Sequence, residues 1–164
     1  MTTPLLEGFP PVVDDAAELL ILGSFPSVQS LAVGQYYGNP RNAFWPITAA
    51  LFGFDVSAPY ETRLAALQSA GVAIWDVLHK CRRVGSADAK IEMKSLVAND
   101  FGALLVTYPS IRRVCFNGTA AERLYSRLVQ PDAGIDYQLL PSTSPARAMP
   151  AGQKLQAWRA IAPS

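Results

Sequence analysis

The side chains best suited to chemistry fall in two stretches that carry almost no charge. From Leu19 to Phe54 the only charged residue is Arg41, yet this segment holds Gly23-Ser24-Phe25-Pro26-Ser27 and then Gln35-Tyr36-Tyr37-Gly38-Asn39-Pro40-Arg41-Asn42-Ala43-Phe44-Trp45. A solvated loop normally carries several charges. One so neutral, and so rich in amides and rings, is expected to fold down as a cleft wall suited to flat neutral ligands. The second stretch, Leu140-Pro141-Ser142-Thr143-Ser144-Pro145-Ala146-Arg147, is stiffened by prolines and uncharged until Arg147, and its hydroxyls can donate to phosphate oxygens. On the residues alone, Asn42 reads equally as the cap of a helix starting at Ala43-Phe44-Trp45, and Asn39 as a turn residue between Gly38 and Pro40. His79 is the only histidine and has no partner cluster, so neither metal nor cofactor is expected.

The elements that must position these loops follow from hydrophobic patterning. Leu19-Leu20-Ile21-Leu22-Gly23-Ser24 is a short apolar run closed by Pro26, as in a strand buried on both faces. Phe44, Ile47, Ala50 and Leu51 recur at helical spacing, which predicts a helix from Asn42 to Phe54 with Pro46 tolerated in its first turn. A helix over 62–70 stopped by Gly71, a strand over 72–77, a helix over 89–101, a strand over 114–116, a helix over 120–128, a strand over 137–140 and a helix over 154–161 complete the pattern. Strands alternating with crossovers indicate a parallel sheet between helices, and ligands of such sheets lie at the carboxyl ends of the strands. Both neutral stretches follow strand ends. Residues 1–10 read as a loose tail, and no repeat or linker is visible.

Length and composition bound the possibilities. A chain of 164 residues supports one compact domain, and 50% apolar against 16% charged residues supplies a core and excludes general disorder. The uncharged run from Leu19 to Pro40 contains too many Gly, Ser, Pro, Gln and Asn residues to cross a bilayer. Met1-Thr2-Thr3-Pro4 lacks the basic start of a secretory signal, so a cytoplasmic or nucleoid location is expected. Cys81 and Cys115 are the only cysteines, too few for a zinc ribbon or a four-thiolate cluster, and read as two buried thiols. The net charge of +1 conceals a gradient, with four acids and no base in residues 1–40 but seven bases and three acids in residues 101–164. That total is far from the basic footprint of an electrostatic DNA binder.

The order GSFPS, YYGNPRNAFW, DVLHKCRRVGSAD, FNG and LPSTSPA resembles the uracil-DNA glycosylase superfamily, most closely its hypoxanthine-DNA (deoxyinosine) glycosylase branch, and the resemblance covers all but the ends of the chain. It implies a three-layer α/β/α sandwich on a central four-stranded parallel sheet. It also implies a monomeric, monofunctional, metal-free enzyme that flips a deaminated base out of DNA and hydrolyses its N-glycosidic bond in base excision repair. In related mismatch-directed uracil glycosylases the first motif carries an Asn that places the attacking water. Phe25 stands there instead, and in the hypoxanthine branch the catalytic amide comes from the stretch that places it on Asn42, with Asn39 as the rival amide.

The resemblance also distributes the remaining roles. Tyr37 aligns with the aromatic residue that stacks on the base, and the main-chain N–H groups around Ser24 and Phe25, with Gly23 permitting close approach, would donate to the leaving base. Asp76 ends the second central strand, where related enzymes read the base edge. Hypoxanthine presents N1–H and O6, the reverse of adenine, so a carboxylate there favours the deaminated base, although uracil offers the same order. Ser27, Asn117, Ser142 and Ser144 would contact phosphates, and Pro145, Ala146 or Arg147 would wedge into the vacated stack. Phe44 and Trp45 are expected in the core, and Lys80, Lys90, Lys94 and Lys154 outside the pocket, so no Schiff-base lyase step is implied. Three other readings remain open from the residues: the same fold directed at uracil or mismatched thymine, a catalytically silent damage-binding module, and a small nucleotide-binding domain, for which GSFPS is a poor phosphate loop.

Overall fold

A computed structural model describes residues 3–163 of the chain. In chain order its elements are β1 (Leu5–Glu7), β2 (Leu19–Gly23), α1 (Val28–Val33), α2 (Phe44–Phe52), α3 (Tyr60–Ser69), β3 (Val72–Asp76), β4 (Leu78–Arg82), β5 (Val97–Ala98), α4 (Phe101–Thr107), β6 (Arg113–Asn117), α5 (Thr119–Leu128), β7 (Asp136–Leu140) and α6 (Ala151–Trp158). The central sheet has the order β3-β2-β6-β7 and every pairing in it is parallel. The apolar run of β2 is buried throughout because it lies between two neighbours and under helices on both faces.

The register decides which side chains reach the site. Leu22 pairs with Trp75 on one side and Phe116 on the other. Trp75 packs on Phe101 of α4 and Phe116 on Tyr125 of α5, with ring centroids 5.1 and 5.3 Å apart. Side chains alternate along a strand, so the next residues, Gly23, Asp76 and Asn117, turn to the opposite face. That face is covered by α2 and α6, whose Phe44 and Trp158 meet edge to face. The chain leaves β2 for β3 on one side and later returns to β6 on the other. The carboxyl end of β2 is therefore the point where the connections diverge and a crevice opens.

Two expectations are corrected. Residues 3–10 are not a loose tail: β1 pairs antiparallel with β4, Phe9 O accepts from Trp75 Nε1 at 3.1 Å, and Pro10 O accepts from Tyr36 Oη at 2.8 Å. Residues 1 and 2 of that predicted tail lie outside the described residues. The segment 89–101 is not a helix; it forms two 3-10 turns, Asp88–Lys90 and Met93–Ser95, and then the short β5 against β4. The open edge of β4 prevails over the local helix preference of Ala, Lys, Glu and Met. Glu92 N donates to Arg82 O at 2.8 Å, and Ser95 Oγ accepts from Arg82 N and donates to Glu92 O. Helix α4 starts only at Phe101, capped by Asp100. The other predicted elements occur with ends displaced by up to three residues, and both cysteines are buried free thiols. Among the described residues no helix is long and apolar enough to cross a membrane.

Candidate active site

A cavity of about 300 Å³ opens at the carboxyl ends of β2, β3 and β6. Every site residue singled out from the sequence except Arg147 lines it. Arg147 lies exposed on a neighbouring depression formed with Thr119, Leu139, Leu140, Pro141 and Ser142, beside the cavity rather than in its lining.

One wall is built from neutral groups that satisfy one another. Asn117, at the end of β6, accepts from Thr143 N at 2.8 Å and donates to Thr143 Oγ1 at 2.9 Å and Tyr37 Oη at 3.3 Å. Its amide is engaged within the wall rather than held out toward a phosphate. Thr143 O accepts from Ala43 N at 3.0 Å, which joins the two neutral loops foreseen in the sequence. Gly118 has φ +100° and a Cβ there would lie 2.9 Å from Ser142 Cβ, so the turn after β6 needs glycine. Trp158 Nε1 donates to Pro141 O and Lys154 Nζ to Ser144 O, each at 2.9 Å. Lys154 thus lies outside the cavity, as expected, but is buried behind the loop and supports it. The Ser142 and Ser144 hydroxyls accept from Ser144 N and Ala146 N, leaving their O–H hydrogens free to donate.

Both amides stand on this wall in Asx turns. Asn42 Oδ1 accepts from Phe44 N, and Asn39 Oδ1 from Arg41 N, each at 2.9 Å. The N-cap of α2 is Ala43 rather than Asn42, because the Asn42 oxygen closes a turn onto Phe44 N one residue before it. That bond and a chemical role are compatible, since one lone pair steadies the helix start while the other and the Nδ2 donors are left over. Tyr37 has φ +54°, rare for an aromatic residue, and its ring stacks on Phe44 with centroids 3.8 Å apart. A flat ligand could use only its other face. Burial pushes the Tyr37 phenol well up, so it is neutral. Phe44 and Trp45 are buried, as expected for core.

The opposite wall is acidic and incomplete. Asp76 is 5% exposed and its Oδ2 has no hydrogen-bond partner among the described residues. Its carboxyl is pushed up to about 7, mainly by burial and further by the charge of Asp88, with Arg83 pulling the other way. A Cβ on residue 23 would lie 2.5 Å from Asp76 Oδ1, which is why the first motif needs Gly23. Asp88 is held by Ser24 Oγ at 2.6 Å, and Ser27 caps α1 by accepting from Ser30 N. Arg83 is buried, donates from Nη2 to Pro26 O at 2.7 Å and from Nε to Gly85 O at 2.5 Å, and lies 5.2 Å from the Phe25 ring. Pro26, Gln29, Ser30, Tyr36, Ser86, Ala87, Asp88 and Thr143 also line the cavity without having been singled out. A second carboxylate twelve residues beyond Asp76, in the Gly-Ser-Ala-Asp turn, was the available signal for the last of the acidic wall.

The arrangement suits a flat heterocycle held on a ring face, read along its edge by a carboxylate and approached by a water on a carboxamide. Among the described residues no group of His, Cys, Asp and Glu could hold a metal ion. The model of the uracil DNA glycosylase superfamily matches residues 10–162. A hypoxanthine DNA glycosylase of Methanosarcina acetivorans is 37% identical over 155 residues, covering 94% of this chain and 96% of its own. A second, from Methanosarcina barkeri, is 35% identical over 93% of this chain and 94% of its own. The solution NMR structure of a candidate uracil DNA glycosylase from Methanosarcina acetivorans superposes with a TM-score of 0.80 at 36% identity, over 96% of each chain.

Proposed function

The chain belongs to the uracil DNA glycosylase superfamily, and on that premise we propose that it excises deaminated bases from DNA, hypoxanthine first, as a monofunctional glycosylase of base excision repair. The observation that carries this reading is the convergence, in one cavity, of a buried carboxylate oxygen without a partner and two carboxamides with donors to spare.

The flipped base enters the cavity with one face against Tyr37, a contact worth about 1–3 kcal/mol toward the cost of unstacking. Ionised Asp76 accepts from N1–H of hypoxanthine. Adenine would turn a lone pair toward the same oxygen and leave it unpaired, which penalises the undamaged base. Asn42 holds a water beneath the anomeric carbon, and Asn39 is the rival for that place. As the bond between C1′ and the base nitrogen breaks, its electron pair leaves with the base and the sugar takes on oxocarbenium character. Water oxygen then bonds to C1′ and gives up a proton to solvent, and the departing base nitrogen takes one up, so that the products are the neutral base and an abasic sugar with a C1′ hydroxyl. Main-chain N–H groups of the Ser24–Phe25 turn stabilise the charge on the departing base. Ser27, Ser142 and Ser144 contact flanking phosphates, Asn117 fixes their loop, and Pro145 and Ala146 at the rim, with Arg147 beside it, fill the gap in the stack. The enzyme works as a single domain and a monomer, on cytoplasmic or nucleoid DNA, without metal or cofactor.

The test is single-turnover cleavage of fluorescent duplexes carrying one deoxyinosine, deoxyuridine or deoxyxanthosine, followed by alkali to reveal abasic sites. Scission chiefly at deoxyinosine is expected. Scission chiefly at deoxyuridine would overturn the substrate and keep the reaction, whereas no scission at any base would overturn the enzymatic reading.

A further inference from the structure

The segment 83–88 overhangs the base cavity and is fastened to the first motif loop along its length. Arg83 Nη2 donates to Pro26 O at 2.7 Å, Val28 N donates to Ser86 Oγ at 2.8 Å, and Ser24 Oγ donates to Asp88 Oδ1 at 2.6 Å. Phe25 lies in the middle of the fastened loop, with the guanidinium carbon of Arg83 5.2 Å from its ring centroid. Arg83 is only 3% exposed, does not line the cavity, and keeps one nitrogen, Nη1, buried without a partner among the described residues. A buried guanidinium left partly unsatisfied is costly, and the two carboxylates whose charge acts on it, Asp76 and Asp88, both line the cavity.

Resting on the glycosylase reading, we propose that Arg83 is a positioning residue of the base pocket: it clamps the Phe25–Pro26 turn to the 83–88 segment and supplies positive charge that balances the Asp76–Asp88 pair. Its reach to Pro26 O fixes the main chain that faces the leaving base. Its charge acts on buried Asp76 against that of Asp88, which disfavours ionisation of Asp76. The groups that face Asp76 are Asp88 from the 3-10 turn, Arg83 after β4, and Tyr36 and Tyr37 from the loop after α1. Arg83 itself faces Cys81, Asp88 and Asp76. Both tyrosines stay neutral because burial raises them, so Arg83 and Asp88 set the electrostatics of Asp76 from opposite sides.

The experiment follows the Asp76 carboxyl by ¹³C NMR titration in the full chain, beside single-turnover cleavage of a deoxyinosine duplex from acid to alkaline pH. Arg83→Met is expected to raise the Asp76 midpoint by about one pH unit, which is about a tenfold loss of the ionised form below it. Cleavage should then fall about fivefold or more at neutral pH and recover only in part as pH rises, because the clamp on Pro26 O is lost as well. Arg83→Lys should keep the midpoint but slow cleavage at every pH, because the ammonium cannot reproduce the fork that grips Pro26 O. Asp88→Asn, an exposed loop substitution, should lower the midpoint. An unmoved midpoint in Arg83→Met and Asp88→Asn would overturn the charge balance, and wild-type rates in Arg83→Lys would overturn the clamp. If Arg83→Met does not fold, Asp88→Asn and Arg83→Lys decide the two halves. If the wild type cleaves no base while the midpoints move as stated, the charge balance stands and the glycosylase reading falls.

Discussion

The two walls of the cavity are finished to different degrees. On the neutral wall the Asn117 amide, the Thr143 main chain and hydroxyl, the Ala43 N–H and the side-chain oxygens of Asn39 and Asn42 are all paired before any ligand arrives. On the acidic wall Asp76 Oδ2 and, behind it, Arg83 Nη1 are buried and unpaired among the described residues. A paired wall is rigid and can hold a water in a fixed place without reorganising. An unpaired one is costly until a partner supplies the missing hydrogen bond, so it discriminates among ligands by whether they supply it. The proposed function accordingly assigns chemistry to the first wall and recognition to the second.

Substitutions on each wall can break this division. The largest effect is expected on the neutral wall: Asn42→Ala should slow single-turnover cleavage at deoxyinosine about 100-fold or more, about 3 kcal/mol, with duplex affinity kept within about threefold. A loss below about threefold would move the water to Asn39. Asp76→Ala should weaken selection of deoxyinosine over deoxyadenosine by about tenfold or more, while Asp76→Asn, which still offers an amide oxygen, should lose less and show no pH dependence near neutrality. Equal cleavage of the two bases by wild type would place recognition elsewhere.

Much of the site was legible because its chemistry is local. The G-S-F-P-S stretch follows the buried apolar run of β2 and L-P-S-T-S-P-A ends the largely half-exposed edge strand β7, and their neutrality marks both as cavity walls. The hidden parts depend on distant partners. β1 has no pattern of its own and exists because β4 runs on from β3 with both edges open, and the edge opposite β1 draws residues 97–98 out of a helix that their neighbours favour. Thr143 reads as one hydroxyl among several, yet it is the one Asn117 grips from the end of the neighbouring strand. Asp88 and Arg83 sat within a quoted motif, but only the folding of 83–88 over the 24–28 loop shows that they share the cavity with Asp76 or back it.

Smaller effects sharpen the comparison through stability. Thr143→Val removes the acceptor of Asn117 Nδ2 and should cost about 1–3 kcal/mol, read as a melting temperature lower by several degrees. An unchanged melting temperature would show that the neutral wall is not held by this pair. The Asp76 carboxyl is raised in the folded chain from 3.8 to about 7, so the folded state holds a proton that the unfolded chain has released. Its contribution is full below about pH 4 and is lost as pH rises to about 7. Between those values the melting temperature of wild type relative to Asp76→Asn should fall by on the order of 5 °C, and a constant difference would mean that Asp76 is not buried as described.

The most direct test of the division is the pH–rate profile of the wild-type enzyme on a single deoxyinosine duplex under single-turnover conditions. If the ionised Asp76 edge recognises the base, the rate rises with a midpoint near pH 7 and then levels. A flat profile would remove Asp76 from recognition, and a rate that falls as pH rises through 7 would make the protonated carboxyl the working form and contradict the account.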